Sequence, residues 1–473
     1  MAILAIAAIA VAACGDDDDA GGDTTVAAAA TTAAAADTTA AGGDTTAAAA
    51  DTTAAAADTT APASDTTEAA APSGWEVDTE DCPDTATEPI TDTIKVGISV
   101  PLSGSVAVAF APVADGAKAY VDYLNANGGI NGQQVELIVK DDQYDPTITA
   151  TNTDELIDSD GINLMSGTIG TANNLAIQET MNEECIPQLF ANTGALDWGD
   201  VENYPWTTGL LPTYEVEAKV HAAKIQEDFP EGAQVAYFSV NNEFGQANVD
   251  AFNRAIEGTN IEIVSEETIE GDPTASPSGQ IANMKASGAN VLIAIPLGGQ
   301  CIGFKTEMAN AGFAPELWFE TSTCANPNLF YSTVGPAAEG VMTTGVFKNF
   351  EDPQFVDDED VVLFVQESQK IKADIDPYFA AVGWTLMDAT ADVLTSAAEA
   401  PDGLTPASII NAARSQNYHP ALVVDGIDFV MNGADDPYGL ETVLLQAFST
   451  ADDLFHPVGE PYDYEGQIEF VES

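Results

Sequence analysis

Residues 94–104 read IKVGISVPLSG, and this stretch decides the fold. Residues 94–100 are rich in β-forming side chains, and the Pro-Leu-Ser-Gly sequence after them is typical of a turn. A helical pattern follows over residues 113–124 and stops at an Asn-Gly-Gly sequence, residues 127–129. A second strand is predicted over residues 135–140. The stretch therefore opens a β-α-β unit.

The same alternation of strand and helix patterns continues along the chain. Strands that are short apolar runs, separated by helices, are typical of parallel sheets covered by helices. With this many units two sheets are more economical than one, and 473 residues can bury two medium-sized cores. We therefore predict an α/β fold with two doubly wound, parallel-sheet lobes. The further predicted helices are residues 149–157 and 173–181, and the further strands are residues 162–165, 187–190, 235–239, 261–269, 291–295 and 317–319.

The chain is strongly acidic. It has 76 Asp and Glu residues against 12 Lys and Arg residues, which gives a formal net charge of −64. Its first basic residue is Lys95. Such a surface repels nucleic acids and anionic lipids, so we expect neither as a partner.

The N-terminal residues have the pattern of an export signal. Residues 1–13 form an apolar run that is too short to span a membrane but suits the hydrophobic region of a secretory signal. The sequence VAACG at residues 11–15 resembles a bacterial lipobox, in which the cysteine is lipidated and becomes the mature N-terminus. We therefore predict a lipoprotein signal peptide over residues 1–14, with lipidation of Cys14. A chance cysteine in an alanine-rich leader is the alternative.

Residues 15–92 are predicted to form a disordered tether. From residue 16 to about residue 72 the composition collapses to Ala, Thr, Asp and Gly, and Asp-Thr-Thr recurs in steps of seven residues from Asp37 to Asp65. A coiled coil would need bulky apolar residues at two positions of each heptad, where this chain has only Ala or Thr. With no apolar face to bury, such a segment does not fold.

Small polar residues follow three successive strands of the predicted first lobe. They are SGS at residues 103–105, SGTIGTAN at residues 166–173 and ANTG at residues 191–194. In open parallel sheets ligands collect where strands end, because loops and helix N-termini present amide and hydroxyl donors there. Each loop alone is equally well explained as a helix cap. The three together favour a site that could hold a carboxylate without Arg or Lys.

Several of these stretches, together with others, resemble one protein family. They are KVG and PLSG within residues 95–104, GAK at residues 116–118, NANGGING at residues 125–132, DD and DP within residues 141–146, and FG at residues 244–245. Over residues 94–450 the chain is similar to the branched-chain amino acid (leucine/isoleucine/valine) type of ABC-transporter substrate-binding protein.

The resemblance implies a periplasmic-binding-protein-like type I fold, in which two lobes joined by a three-segment hinge close over a small ligand. It places residues 93–212 and 345–428 in lobe 1, and residues 213–344 and 429–473 in lobe 2.

The resemblance also implies which residues contact the ligand. The loops of residues 169–171 and 192–194 match those that hold the α-carboxylate and amine of an amino acid. Phe244 matches an aromatic residue of the second lobe, and Glu320 matches an acidic residue for the ligand amine. Ordinary packing is the alternative for Phe244, and a solvated strand end is the alternative for Glu320. The predicted ligand contacts are Ser103, Ile169, Gly170, Thr171, Asn192, Thr193, Gly194, Phe244, Glu320 and Ser322.

Four cysteines remain when Cys14 is set aside, an even number in a chain expected to be exported. We expect two disulfides among three possible connectivities. The predicted strands favour Cys301 with Cys324, since both follow neighbouring strands, and this leaves Cys82 with Cys185. Metal binding is the alternative, but the sequence has no Cys-x-x-Cys and no paired His. We predict neither a metal nor a cofactor.

The sequence offers little for catalysis. Its three histidines, His221, His419 and His456, form no helix-spaced pair, and no Gly-x-Ser-x-Gly or phosphate-loop sequence occurs. His221 lies in a helical run, and we interpret it as a surface residue.

We therefore predict a binding protein and not an enzyme. It would be a monomeric receptor, lipid-anchored at the outer face of the cytoplasmic membrane, that binds a small polar solute such as an amino acid or a related amide. It would deliver this solute to the permease subunits of an ABC importer. A sensory module on the same fold and a surface hydrolase are the alternatives.

Overall fold

The computed structural model describes residues 74–271 and 275–471. The predicted signal peptide, Cys14 and residues 15–73 of the predicted tether lie outside the described residues. Residues 74–92 are ordered, which corrects the predicted end of the tether: Val77 and Ala86 are buried, and Asp84–Thr87 form a turn of 3-10 helix. Among the described residues, no helix is both long and apolar enough to cross a bilayer.

The strands and helices alternate over most of the described chain. The strands are β1 (Ile94–Val100), β2 (Val135–Asp141), β3 (Leu164–Ser166), β4 (Gln188–Ala191), β5 (Thr207–Gly209), β6 (Ala233–Val240), β7 (Ile261–Ile269), β8 (Val291–Ile295), β9 (Leu317–Glu320), β10 (Met342–Gly345), β11 (Asn417–Tyr418), β12 (Phe429–Val430), β13 (Thr442–Ser449), β14 (Leu454–Pro457) and β15 (Tyr462–Asp463). The helices are α1 (Ala107–Ala126), α2 (Pro146–Glu155), α3 (Thr171–Glu183), α4 (Tyr214–Asp228), α5 (Glu243–Ala255), α6 (Ser278–Ser287), α7 (Gln300–Ala311), α8 (Glu359–Ile371), α9 (Pro377–Glu399) and α10 (Pro406–Ala413).

The first sheet has five strands in the order β2-β1-β3-β4-β5, and every pairing is parallel. Strand β1 lies inside this sheet, and all its residues except Lys95 are buried. A strand that is covered by helices on both faces needs such an unbroken apolar run. The β-α-β unit that residues 94–104 open is therefore confirmed.

The second sheet has the order β14-β13-β10-β9-β8-β6-β7, with β15 paired to β13. Strands β6 to β10 are parallel, as predicted, whereas β13, β14 and β15 add antiparallel pairings. The α/β class with two sheets is confirmed, but the second sheet is mixed and not purely parallel. Edge strand β7 carries the exposed carboxylates of Glu262 and Glu266, and charged side chains discourage pairing with another chain.

The chain passes between the two sheets three times. It leaves the first sheet after β5, returns after β10 to helices that pack on α1, and enters the second sheet again at β13. The residue limits predicted for the two lobes stay a prediction. We use "first half" for the first sheet with α1, α2, α3, α8, α9 and α10, and "second half" for the second sheet with α4 to α7.

Helices α1 and α9 touch through their backbones at two glycines. A Cβ atom on Gly116 would lie 1.9 Å from the carbonyl oxygen of Ala380, and one on Gly383 would lie 1.9 Å from that of Val113. No side chain fits at either position, so the glycines set the distance between the two helices. Helix α9 begins at Pro377, and the side chain of its N-cap residue, Asp376, accepts the amide hydrogens of the first turn.

Two disulfides join Cys82 to Cys185 and Cys301 to Cys324. Both pairings match the prediction. The first ties the segment before β1 to the end of α3 across 103 residues of sequence. The second ties the start of α7 to the loop after β9 across 23 residues. Each disulfide closes a loop. This lowers the conformational entropy of the unfolded chain and so stabilises the folded state.

The glycine contact predicts that Gly116→Ala destabilises the protein. Although Ala favours a helix by about 1 kcal/mol over Gly, its Cβ would collide with the backbone of α9, so we expect a net loss of about 1–3 kcal/mol. Urea unfolding followed by circular dichroism measures this loss.

Gly303→Ala in α7 is the matched control, because a Cβ there meets no atom within 4 Å. It should be neutral or stabilising. A Gly116→Ala variant as stable as this control would contradict the close-contact interpretation.

Candidate ligand-binding site

A cavity of about 150 Å³ lies between the first and second halves. Helices α1 and α9 of the first half form one wall, and the second half contributes residues of α4, β13, β14 and the loop after β9. The stretch after β10, one of the three passages between the sheets, closes the cavity. All three parts of the fold therefore meet at one cavity.

Most of this wall is apolar. Phe110 and Val113 stand three residues apart on one face of α1, and Phe379 and Val382 are spaced in the same way on α9. The rings of Phe110 and Phe379 meet edge to face, with 5.8 Å between centroids. The Gly116–Gly383 contact holds these two helices in this register. The other apolar lining residues are Leu211, Pro212, Ala325, Val346, Phe347, Phe350 and Phe455.

Glu217 supplies a carboxylate to the cavity from the first turn of α4. It is only 3% exposed. One of its oxygens accepts the hydroxyl hydrogen of Thr344 at 3.0 Å, and the other has no hydrogen-bond partner among the described residues. Burial raises the pKa of Glu217, and the nearby polar groups of Ser322 and Thr344 offset part of this rise.

Asn192 and Ser322 also contribute polar groups to the cavity lining. Asn192 is 8% exposed, and its backbone is held at the end of β4 by pairing with Ile169 and by a bond to the Thr168 carbonyl. Ser322 begins the turn after β9 that the Cys301–Cys324 disulfide ties down. One half supplies Asn192, and the other supplies Glu217 and Ser322.

Lys348 also lines the cavity, but its charge is already paired. The Nζ atom donates to the Asp358 carboxylate at 3.0 Å and to the Ala421 carbonyl at 2.9 Å. The ammonium group is thus held by the stretch after β10 and its neighbours. Two of its three donor hydrogens are used in this way, and its charge is offset by Asp358.

The predicted polar loops come together, but two tyrosine rings cover them. The Thr171 hydroxyl lies 2.7 Å from that of Thr193, which lies 3.0 Å from the Tyr214 hydroxyl. A Cβ on Gly170 would lie 2.6 Å from the ring of Tyr144, and one on Gly194 would lie 2.8 Å from the ring of Tyr214. Ile169 is buried and pairs with Asn192. Of these two loops, Asn192 alone lines the cavity.

The chain matches a known protein family. The family model described as "Periplasmic binding protein" matches residues 93–433. The chain belongs to this family. Leu/Ile/Val-binding protein homolog 2 of Brucella abortus (strain 2308) is 25% identical over 254 residues, which are 53% of this chain and 66% of that protein. The chain thus spans slightly less than two thirds of the length of this curated relative.

Solved structures share the fold of this periplasmic binding protein at low sequence identity. A branched chain amino acid ABC transporter protein from Thermus thermophilus with bound valine superposes with a TM-score of 0.70 and 18% identity, covering 79% of this chain and 97% of that one. A fatty acid ABC transporter substrate-binding protein from Thermomonospora curvata gives a TM-score of 0.69 and 16% identity, covering 81% and 96%.

Two further predicted contacts, Ser103 and Phe244, also lie outside the cavity lining of this periplasmic binding protein. The exposed Ser103 hydroxyl donates to the Asp141 carboxylate at 2.6 Å and forms a surface turn. Phe244 is buried against Tyr214, with 5.6 Å between ring centroids. Ordinary packing, the alternative interpretation of Phe244, therefore accounts for its position.

The assignment of Glu320 to the ligand amine needs correction. Glu320 is fully buried in the second half, where its carboxylate pairs with the Nζ atom of Lys305 and accepts the hydroxyl hydrogen of Tyr331. A buried carboxylate requires a cation, and α7 supplies one from within the same half. Neither Glu320 nor Lys305 lines the cavity. Burial raises the pKa of Glu320, and Lys305 counteracts this rise.

His221 is buried as well, which corrects its interpretation as a surface residue. It lies one turn after Glu217 on α4 and packs against the ring of Phe319, with 4.6 Å between centroids. Its Nε2 atom has no hydrogen-bond partner among the described residues. Burial lowers the pKa of His221 to about 3, so the ring stays neutral at physiological pH.

Three carboxylates, of Asp436, Glu441 and Glu465, come within 4.8 Å of one another. Glu441 is buried, and its oxygens accept the amide hydrogens of Gly466 and Ile468. Burial raises the pKa of Glu441 and of Glu465 to about 8, and the neighbouring acids add to the rise. Protonation of Glu441 or Glu465 can therefore relieve the repulsion between the three carboxylates. Their proximity alone does not make this cluster a metal site.

Sequence reasoning missed Glu217 and the aromatic wall. An acidic residue in the first turn of a helix already has a local explanation, because it complements the helix dipole. The sequence signal that could have identified Glu217 is its position directly after the chain first passes between the two sheets, where both halves meet.

The buried Lys305–Glu320 pair predicts a large loss of stability when one partner is removed. We expect Lys305→Met and Glu320→Leu each to lower the free energy of unfolding by about 3–5 kcal/mol, because either change leaves an unpaired buried charge. The double variant should lose much less than the sum, and urea unfolding measures this coupling.

Lys118→Met is the control, since the Lys118–Asp122 pair is more than half exposed on both sides. It should cost at most about 1 kcal/mol. A Glu320→Leu variant of wild-type stability would restore Glu320 as a ligand contact.

Proposed function

We propose that this periplasmic binding protein is the extracytoplasmic substrate-binding receptor of an ABC importer. The observation that carries the proposal is the cavity, whose lining comes from both halves and from the stretch after β10. The ligand would be a small solute, and permease subunits in the membrane would be the partner. The protein from Thermus thermophilus, with its bound valine, supports a small-molecule ligand for this fold.

Binding would act by shifting the balance between open and closed forms. A ligand in the cavity touches both halves only while they are together, so it stabilises the closed form by its differential contacts. The halves also touch directly. The Asn326 amide nitrogen donates to the Asp376 carboxylate at 2.8 and 3.0 Å, and Val106 packs against Gly298. Phe330, in the segment after β9, also meets Phe379 edge to face, with 6.1 Å between ring centroids.

The receptor can be tested with a thermal-shift screen of amino acids, amides and amines. We expect at least one solute to raise the Tm of the unmodified chain, because a ligand at one hundred times its Kd stabilises the folded form by about 2.7 kcal/mol. Val382→Trp, which fills the cavity, should abolish this shift. The bound solute should be recovered chemically unchanged.

Val108→Trp is the matched control, because Val108 lies on α1 but is 53% exposed. It should keep the ligand-induced shift. A solute whose effect survives Val382→Trp binds elsewhere, and a solute recovered as a reaction product would favour the hydrolase alternative.

We further propose that the chain is anchored to the membrane through a lipid on Cys14. The lipobox-like sequence VAACG supports this, as does the delivery role, which keeps a receptor close to its permease. Cys14→Ser expressed in a bacterial host should appear in the soluble fraction, whereas the unmodified chain should sediment with membranes. Membrane retention of the Cys14→Ser variant would exclude the lipid anchor.

A further inference from the structure

We propose that the cavity takes a compact apolar ligand, of about one aromatic ring or branched alkyl group, that carries a nitrogen hydrogen-bond donor and no carboxylate. The donor would be an ammonium or a carboxamide group. This inference rests on the proposed receptor function and specifies the substrate class.

The size and wall of the cavity set the ligand's body. A cavity of about 150 Å³ lined by apolar side chains is large enough for a benzene-sized molecule. The wall formed by Phe110, Val113, Phe379 and Val382 offers such a body dispersion contacts and aromatic edges. A long or strongly charged solute would not match this space.

The polar lining of the cavity sets the ligand's head. Glu217 is the carboxylate among the described residues that line the cavity. A ligand N–H that donates to a carboxylate forms a charge-assisted hydrogen bond, which is stronger than a neutral one. Asn192 and Ser322 also line the cavity and can bind the remaining polar atoms of a carboxamide.

The same head would couple the two halves. Asn192 belongs to the first half, whereas Glu217 and Ser322 belong to the second. A donor held between them contacts both halves at once. The specificity of the head and the closure of the protein would therefore depend on the same hydrogen bonds.

A carboxylate on the ligand would meet no free cation. Among the described residues that line the cavity, the cation is Lys348, whose Nζ atom is committed to Asp358 and Ala421. Glu217 would repel a second carboxylate placed near it. The uncompensated negative charge would remain in a largely apolar enclosure, where it is costly.

An α-amino acid is also excluded from the loops that were predicted to hold its carboxylate. Tyr214 and Tyr144 occupy the space next to Thr193 and Gly170. The hydroxyls of Thr171 and Thr193 bond to each other and to Tyr214. The carboxylate-binding groups are therefore already used within the protein.

Isothermal titration of the full chain with matched probes tests this inference. The probes are benzylamine, isobutylamine and benzamide, compared with benzoate, phenylalanine and leucine. We expect the amine and amide probes to bind at least tenfold more tightly than the three probes with a carboxylate. Glu217→Gln should weaken benzylamine binding at least tenfold, because the ammonium group loses its opposite charge. Benzamide binding should weaken less than threefold, because the neutral amide can still donate its N–H to the side-chain carbonyl oxygen of the introduced glutamine.

Glu227→Gln is the matched control, because Glu227 lies on the same helix and is exposed, with Lys224 as its partner. It should leave the affinity for every probe unchanged. The ranking of probes on the unmodified chain decides the proposal even when the Glu217→Gln variant does not fold.

Tightest binding of phenylalanine, leucine or benzoate would overturn the substrate class while the receptor function stands, provided that Val382→Trp abolishes that binding. Equal affinity for benzylamine in the unmodified and Glu217→Gln chains would overturn the role of Glu217. Failure of every amine and amide probe would overturn the class as well, and the broader screen with Val382→Trp would then decide the receptor function separately.

Discussion

The backbone contact between α1 and α9 is the constraint on which the site depends. Gly116 and Gly383 let the two helices approach until the carbonyl oxygens of one helix fill the space where a Cβ of the other would stand. This approach aligns Phe110 and Val113 with Phe379 and Val382 as one continuous wall. A wider spacing would separate the two pairs and open the cavity, so two residues without side chains determine the shape of a site they do not line.

Two buried carboxylates show how partners distinguish a structural group from a binding group. Glu320 has Lys305 and Tyr331 beside it, and its charge is offset inside the second half. Glu217 has the Thr344 hydroxyl at one oxygen. In both residues the other carboxylate oxygen has no hydrogen-bond partner among the described residues, so the difference is that Glu320 is paired with a cation whereas Glu217 lines the cavity. In both cases the sequence places an acidic residue near the end of a secondary-structure element. Only the surrounding three-dimensional contacts tell which of them faces the cavity.

Much of the fold could be predicted from the sequence because its signals are local. Apolar runs such as residues 94–100 and 291–295 identify buried parallel strands by themselves, and the spacing of the cysteines narrows their pairing. The antiparallel pairing of β13 with β10 could not be predicted in this way. The two strands are distant in sequence, and the residue pattern of a strand does not specify which other strand it pairs with. The same limit applies to the site. The loops with Thr171 and Thr193 were correctly expected at one sheet edge, but the rings of Tyr144 and Tyr214 that cover them come from other elements.

The Cys301–Cys324 disulfide lies directly behind the turn that carries Ser322. Disulfides form in oxidising compartments and are rare in the reducing cytosol. One side of the cavity therefore reaches its final covalent form only after the chain has left the cytosol. The cavity is therefore completed only when Cys301 and Cys324 are oxidised, which follows export.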